Sequence, residues 1–375
     1  MRLIPDSDAV DLAAMLRDLL RVECPTTLVR ALREPSAAPV PETLWKALAD
    51  AGVLGLVAAE EYGGSGGGLG DLGVFCVEAG RALCPMAVHS TVHASLAIEL
   101  LGRPEQKAAW LPRLSAGTLR GTTSLSSVRD ARVVTAPLRA ERQSGGWRLC
   151  GTVDFVADAE GADVLVVSAT DVPDQRTLGF VVDGHTPGVT VEPLTMMGGF
   201  RAGTVRFDDV RVADSSAVLG AEDSAGLSED DLRRVANAGV ALLSLDLVGV
   251  GEAVLQRTVE YISMRHQFGR PIASFQAAQH LVANMHIALA GARLAAQSAV
   301  FWIGRGRVGT RETAIARMAA ADAAKLITLD AHQLHGGMGY VVETDLHLWS
   351  ERARVLSTLG GGADVAAGWL GEEGT

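Results

Sequence analysis

From Ser7 to about Gly117 the apolar residues recur at spacings of three and four: Val10, Leu12, Met15, Leu16, Leu19 and Leu20 first, then Leu44, Leu48, Val53 and Leu54. That is the period of a helix with one face turned to a core, so this stretch predicts a helical domain. Pro41-Glu-Thr-Leu-Trp45 reads as a helix start, where a residue without an N–H loses no bond. The glycine-rich run from Tyr62 to Gly70 breaks the pattern before helix resumes over Leu72 to Leu83.

Between about Thr118 and Gly220 the texture changes to short β-rich runs: Trp147 to Gly151, Val164 to Ser168, Leu178 to Val182, Val189 to Val191, Thr204 to Phe207 and Val210 to Val212. Turn residues separate them at Gly145-Gly146, Pro173-Asp174, Pro187-Gly188 and Asp208-Asp209, which predicts a small antiparallel β domain. From Glu229 onward the helical period returns in three or four long helices, broken at Gly269-Arg-Pro271 and at His335-Gly-Gly337. The chain therefore divides into a helical domain over 1–117, a β domain over 118–220 and a second helical domain over 221–375, an α+β fold.

With 375 residues, 48% hydrophobic and 21% charged, the chain is long and apolar enough for a large buried core. A net charge of -11 argues against a nucleic-acid partner, because phosphate binding needs a basic face. The residues from Met1 to Asp11 carry acids where an export signal has a positive region and an apolar core, so the expected location is the cytoplasm. No membrane partner is expected either. The most apolar stretch, Val235 to Gly251, is interrupted by Asn237 and Asp246 and is shorter than a bilayer requires. Cys24, Cys76, Cys84 and Cys150 show no metal or redox spacing and read as packed, reduced thiols. His89 and His93 stand four apart as a zinc pair can, but no third ligand accompanies them, and no metal is expected. The glycine run at Gly63 to Gly70 lacks the preceding strand and following lysine of a phosphate loop.

Two stretches remain that carry chemistry: Arg265-His-Gln-Phe-Gly-Arg-Pro-Ile-Ala-Ser-Phe-Gln276 and Gln333-Leu-His-Gly-Gly-Met-Gly-Tyr340. A pyrophosphate is best held by a fixed guanidinium together with backbone N–H groups bared by glycine, and Arg265 with Gly336-Gly337 supplies both. In this order the two stretches resemble the flavin-contacting signatures of the acyl-CoA dehydrogenase family, and among its members the heteromeric steroid and acyl-CoA dehydrogenase subunits. The resemblance covers nearly the whole chain. It implies an N-terminal helical domain, a middle antiparallel β domain and a C-terminal helical bundle. It also implies FAD as cofactor, with Arg265, Phe268, Gln276, Gln333, Gly336 and Gly337 on the pyrophosphate and adenosine of a neighbouring subunit's flavin. The implied activity is that of an oxidoreductase of lipid metabolism, acting on the CH–CH bond of an acyl-CoA or acyl-carrier thioester. Assembly into a dimer or tetramer follows, with itself or with a homologous subunit.

The departures from the family pattern are as informative. Where the family reads Tyr-Glu-Gly-Thr, this chain reads Leu359-Gly360-Gly361-Gly362, without the catalytic carboxylate or the threonine. The family's Thr-Glu-Pro-x-x-Gly-Ser loop becomes Leu125 to Ala131, with Ser126 and Ser127 as candidate replacements, and its Trp-Ile-Thr strand becomes Phe155-Val-Ala157. Phe155 can still stack on the flavin ring, whereas Ala157 has no hydroxyl to donate.

Removing an α-proton needs a base in an apolar site, where desolvation moves its pKa toward neutrality. Some family members carry it on the helix before the arginine signature. There Asp246-Leu-Val-Gly249 offers Asp246, while a second known location, about two turns earlier, falls near Gly239. Asp246 in an apolar helix reads either as that base or as half of an internal ion pair with an arginine of a neighbouring helix. Three functions are consistent with these residues: an FAD-binding subunit supporting α,β-dehydrogenation of a thioester within a heteromeric complex, a dehydrogenase using Asp246 as base, and altered flavin chemistry on a carrier-bound substrate in specialised metabolism.

Overall fold

A computed structural model describes residues 5–34, 37–134, 136–213, 218–220 and 226–372, so the domain ends drawn at residues 1, 221 and 375 lie outside the described residues. Six helices come first: α1 (Ser7–Glu23), α2 (Thr26–Ala31), α3 (Glu42–Asp50), α4 (Leu69–Ala82), α5 (Met86–Leu101) and α6 (Pro104–Ser115). The strands are β1 (Gly121–Ser124), β2 (Leu138–Gln143), β3 (Gly146–Ala157), β4 (Val164–Asp171), β5 (Arg176–Asp183), β6 (Val189–Leu194), β7 (Ala202–Ala213) and β8 (Val218–Leu219). The chain then returns to helix in α7 (Glu229–Met264), α8 (Gln276–Gly304), α9 (Thr310–His335), α10 (Leu346–Leu356) and α11 (Ala363–Glu372). Helical, β and helical segments thus follow one another as the hydrophobic pattern predicts.

Contacts group the chain into two units, Ala31–Leu72 with Pro85–Gly239, and Met1–Arg30 with Gly73–Cys84 and Val240–Thr375. The first holds the sheet, whose order is β6-β7-β3-β2-β4-β5-β8, with β1 also on β4. Most neighbours are antiparallel, but β4 runs parallel to both β1 and β2. Its core joins Leu138, Leu149, Leu165, Val167, Phe180 and Phe207 with Trp147, whose ring meets Phe180 edge-on at 6.0 Å. Thr204 to Phe207 and Val210 to Val212, expected as two strands, are one. Asp208-Asp209 is a bulge within β7, with Asp209 at φ 55° where the ladder with β3 shifts register. β1 and β2 escape the sequence pattern because they are short and polar, β2 burying only Leu138 and Ala140 completely.

The second unit is helical. Here α4 and α7 meet backbone to backbone: a Cβ on Gly80 would lie 2.0 Å from the Asp246 carbonyl oxygen, and one on Gly249 would lie 1.9 Å from that of Val77. Only glycine permits so close a crossing. By length and composition α7 and α8 could each cross a membrane, but the most apolar window of α7 is 83% buried within the protein. That of α8 is only 33% buried.

Candidate functional site

The Arg265 signature is a hairpin set at the end of α7. His266–Gln267 pairs with Arg270–Pro271, and the two residues between them, Phe268 (φ 52°) and Gly269 (φ 77°), both take positive φ, as a two-residue hairpin turn of primed type requires. The Ile272 N–H donates to the Arg265 carbonyl at 2.9 Å, which closes the hairpin back onto the helix end. Phe268 is thereby held out into solvent, 92% exposed, with its ring edge-on to Phe275 at 6.2 Å. An aromatic ring so displayed makes a platform for stacking.

The second signature ends α9. Gly336, at φ 58° and ψ -137°, closes that helix in a conformation that essentially only glycine adopts. His335 is held by its own turn: its ring stacks on Tyr261 at 4.3 Å and its Nδ1 lies 2.8 Å from the Ala331 carbonyl. Burial lowers the His335 pKa, and nearby His332 and Arg257 lower it further against the opposing Ala331 bond.

These turns line one cavity of about 640 Å³, and Arg265, Phe268, Gln333, Gly336 and Gly337 all contribute to it, together with Tyr261, Phe275 and Met338. Arg265 is its only arginine or lysine, is exposed, and makes no side-chain hydrogen bond or ion pair among the described residues. Nothing lies within 4 Å of a Cβ built on Gly336 or Gly337, so backbone there is open to a ligand. A free guanidinium, bared backbone and an exposed aromatic ring in one cavity fit a nucleotide with an anionic pyrophosphate. Gln276 begins α8 and is exposed, but it does not line this cavity.

Asp246 has another occupation. It is fully buried in α7, where Arg352 of α10 donates Nε to Oδ1 at 2.9 Å and Nη2 to Oδ2, while Arg352 Nη1 donates to the Cys84 carbonyl at 2.7 Å. Burial works against the charge on Arg352, but the attraction and hydrogen bonds of Asp246 outweigh it and raise the pKa. Both carboxylate oxygens are engaged in a fork-to-fork pair, which leaves none directed at a substrate. The ion-pair reading of Asp246 is the one the structure holds.

Phe155 lies in the β-bearing unit, at φ 61° where the ladder between β3 and β7 slips between Val153 and Val156. This bulge turns a half-buried aromatic residue out of the regular pleat. The neighbouring Ala157 carbonyl accepts from Thr122 Oγ1 at 2.6 Å. Ser127 Oγ is used within its own loop, accepting the Arg129 N–H at 3.2 Å.

The model of the acyl-CoA dehydrogenase N-terminal domain matches residues 6–118, and that of the C-terminal domain matches residues 234–374. An acyl-CoA dehydrogenase of Bacillus subtilis (strain 168) is 30% identical over 338 residues, covering 87% of each chain. The chain belongs to the acyl-CoA dehydrogenase family. Among solved structures, a variant of the Tcur3481-Tcur3483 steroid ACAD superposes with TM-score 0.86 at 30% identity and 97% coverage of both chains. The ChsE4-ChsE5 complex from Mycobacterium tuberculosis gives TM-score 0.86 at 27% identity, covering all of this chain and 98% of that one.

Within this family member, the residues that sequence reasoning missed are those whose partners are far away in the chain. Arg352 and Tyr261 carry no motif of their own. A buried Asp in an apolar helix implies a cation nearby, yet nothing in the sequence says which of many arginines provides it.

Proposed function

We propose that the chain is an FAD-binding subunit of an acyl thioester dehydrogenase, supporting α,β-dehydrogenation within a complex with a homologous subunit in the cytoplasm. The observation that carries this reading is the convergence of unpaired Arg265, the Gly336-Gly337 turn and exposed Phe268 on one cavity. Arg265 and the bared N–H groups hold the pyrophosphate, and Phe268, Gln276 and Gln333 flank the adenosine side. Bound there, FAD supplies the hydride acceptor. The substrate is a thioester of coenzyme A or of an acyl carrier. The likeness to the ChsE4-ChsE5 complex supports a partner subunit, and the likeness to the acyl-CoA dehydrogenase of Bacillus subtilis supports a coenzyme A thioester. On this reading Asp246 acts as half of an ion pair with Arg352 and not as the base.

The test is to purify the chain alone and together with a candidate homologous subunit, and to count flavin per chain. Little flavin on the chain alone and full occupancy in the complex is the expected result. Tight, stoichiometric flavin on an isolated chain, unchanged in Arg265→Ala, counts against the site.

A further inference from the structure

Thr313 and Arg317 stand one turn apart on α9 and so share a face of that helix. Both side chains are fully buried. The guanidinium uses Nε and Nη2 on the carbonyls of Gly361, Leu356 and Leu359, but its Nη1 meets no hydrogen-bond partner in the protein. Thr313 Oγ1 meets none either. A donor left unmatched away from water is costly, so two of them on one helix face point to a bound species that the protein itself does not supply.

The charge is unmatched as well. No carboxylate pairs with Arg317 among the described residues, and burial alone moves its pKa, down to about 10, with no acid opposing the shift. At pH 7 the group therefore remains a cation, and a buried charge without a counter-charge is unfavourable. The three carbonyl dipoles offset it only in part. Thr313 is the fourth residue of α9, so the positive end of that helix adds to the field at its hydroxyl. The neighbouring α11 packs along α9 with Ala366 and Trp369 buried, which keeps bulk solvent from screening the site.

We propose that a chloride-sized anion binds between Arg317 Nη1 and Thr313 Oγ1. Each group donates one hydrogen bond to it, and its charge balances the guanidinium. A water molecule would satisfy the same two atoms and leave the cation unbalanced. A larger oxyanion such as sulphate does not suit two donors that are both closed off from solvent. Because the same guanidinium holds the turn from Leu359 to Gly362, an anion there also braces that turn. The site serves stability and is independent of the flavin and thioester readings.

Thermal melts of the purified full chain test this as chloride replaces methanesulphonate at constant ionic strength. The midpoint should rise with chloride and then level off, as one saturable site requires. Thr313→Val keeps the size of the side chain and removes the hydroxyl. It should weaken the apparent chloride Kd roughly 10- to 150-fold, the loss of one hydrogen bond to a charged group. Arg317→Met should abolish the response, and where that variant does not fold, Thr313→Val carries the test. A midpoint indifferent to chloride in the natural chain, or an equal response in Thr313→Val, overturns the proposal.

A second arm locates the ion. Crystals grown in sodium bromide should give an anomalous peak within hydrogen-bond distance of both Arg317 Nη1 and Thr313 Oγ1. Density there without anomalous signal identifies a water and overturns the proposal. A bromide peak without a saturable midpoint response marks an adventitious ion only, which equally overturns it.

Discussion

Arg317 donates its Nε–H to the carbonyl of Gly361 at 2.8 Å, and through Nη2 it also holds the carbonyls of Leu356 and Leu359. The guanidinium is completely buried, with desolvation pushing its pKa down to about 10. It serves as the cap for the end of α10, where the last carbonyls of a helix lack partners. The turn it pins, Leu359 to Gly362, is the one in which the family places its carboxylate, and Gly360 and Gly361 stand at φ 73° and 106°.

Restoring the carboxylate with Gly360→Glu should therefore lower stability. A non-glycine residue in the left-handed region costs roughly 1–2 kcal/mol, and urea midpoints should record that loss. Dehydrogenation should stay unchanged, because a pinned left-handed turn does not by itself deliver a carboxylate to a substrate. A gain in flavin reduction in this variant would show that the site lacked only its base. Arg317→Met should cost more, about 3 kcal/mol or above, by orphaning the buried carbonyls of Leu356 and Gly361 and the part-buried one of Leu359.

Asp246 and Arg352 give a cleaner test of role. Either Asp246→Asn or Arg352→Met should destabilise by roughly 3–5 kcal/mol, since each leaves a buried partner unmatched. The double replacement Asp246→Asn with Arg352→Met should lose much less than the sum of the two. A double-mutant cycle in urea measures this coupling. If Asp246→Asn instead folds as well as the natural chain and loses only its flavin reduction, the carboxylate is a base after all.

The two breaks in the C-terminal helices were the most legible local features of the chain. Gly269-Arg-Pro271 and His335-Gly-Gly337 announce helix breaks because glycine and proline act locally, whereas the hairpin into which the first break folds was not foreseen. The helical, β and helical succession was legible for the same reason. What was not legible depends on chain-distant contact. The packing of His93 on Gly239 and the choice of Arg352 as partner to Asp246 arise only when helices cross. The division of β7 into two strands failed because Asp208-Asp209 has turn composition, while the sheet around it holds the strand continuous through a bulge.

Stability should fall in mild acid through buried histidines. His335 and His93 both titrate below the ordinary value of 6.5 in the folded chain, with burial the main cause in each. The unfolded chain therefore binds protons from about pH 6.5 downward where the folded chain does not. Stability is complete above that pH and is lost as pH falls, at up to about 1.4 kcal/mol per pH unit for each group, until the folded values are passed. His335→Gln should flatten the fall in urea midpoint between pH 6.5 and acid. An equally steep fall in that variant excludes His335 as a source.

Removing Arg265 should weaken FAD by about 1.5–3 kcal/mol, the worth of a charged hydrogen bond, or roughly 10- to 150-fold in Kd. Gly336→Ala should weaken it by a different route, since the φ 58°, ψ -137° conformation costs a side-chain-bearing residue about 1–3 kcal/mol and the turn then relaxes. Fluorescence titration of flavin reads both losses, and a thermal melt separates them, because Gly336→Ala lowers thermal stability and Arg265→Ala does not. Unaltered affinity in both variants removes the cavity from consideration.

Assembly is the last expectation, and it follows from apolar surface left open on the C-terminal helices. On α8, Ile287 is 68% and Leu294 44% exposed, and on α9, Leu329 is 57% and Ile315 42% exposed. Apolar side chains concentrated on two adjacent helices of a chain whose own core is well filled mark a surface that another subunit covers. An obligate contact of this kind buries upwards of roughly 2,000 Å² and is more apolar than a transient one. Light scattering should accordingly give a dimer or tetramer, with a homologous subunit where one is co-expressed. Ile287→Asp with Leu329→Asp should shift it toward monomer at micromolar concentration, and flavin should leave with the partner, because the Arg265 cavity is proposed to serve a neighbour's cofactor. A monomer that still holds flavin tightly would separate cofactor binding from assembly and remove the shared-site reading.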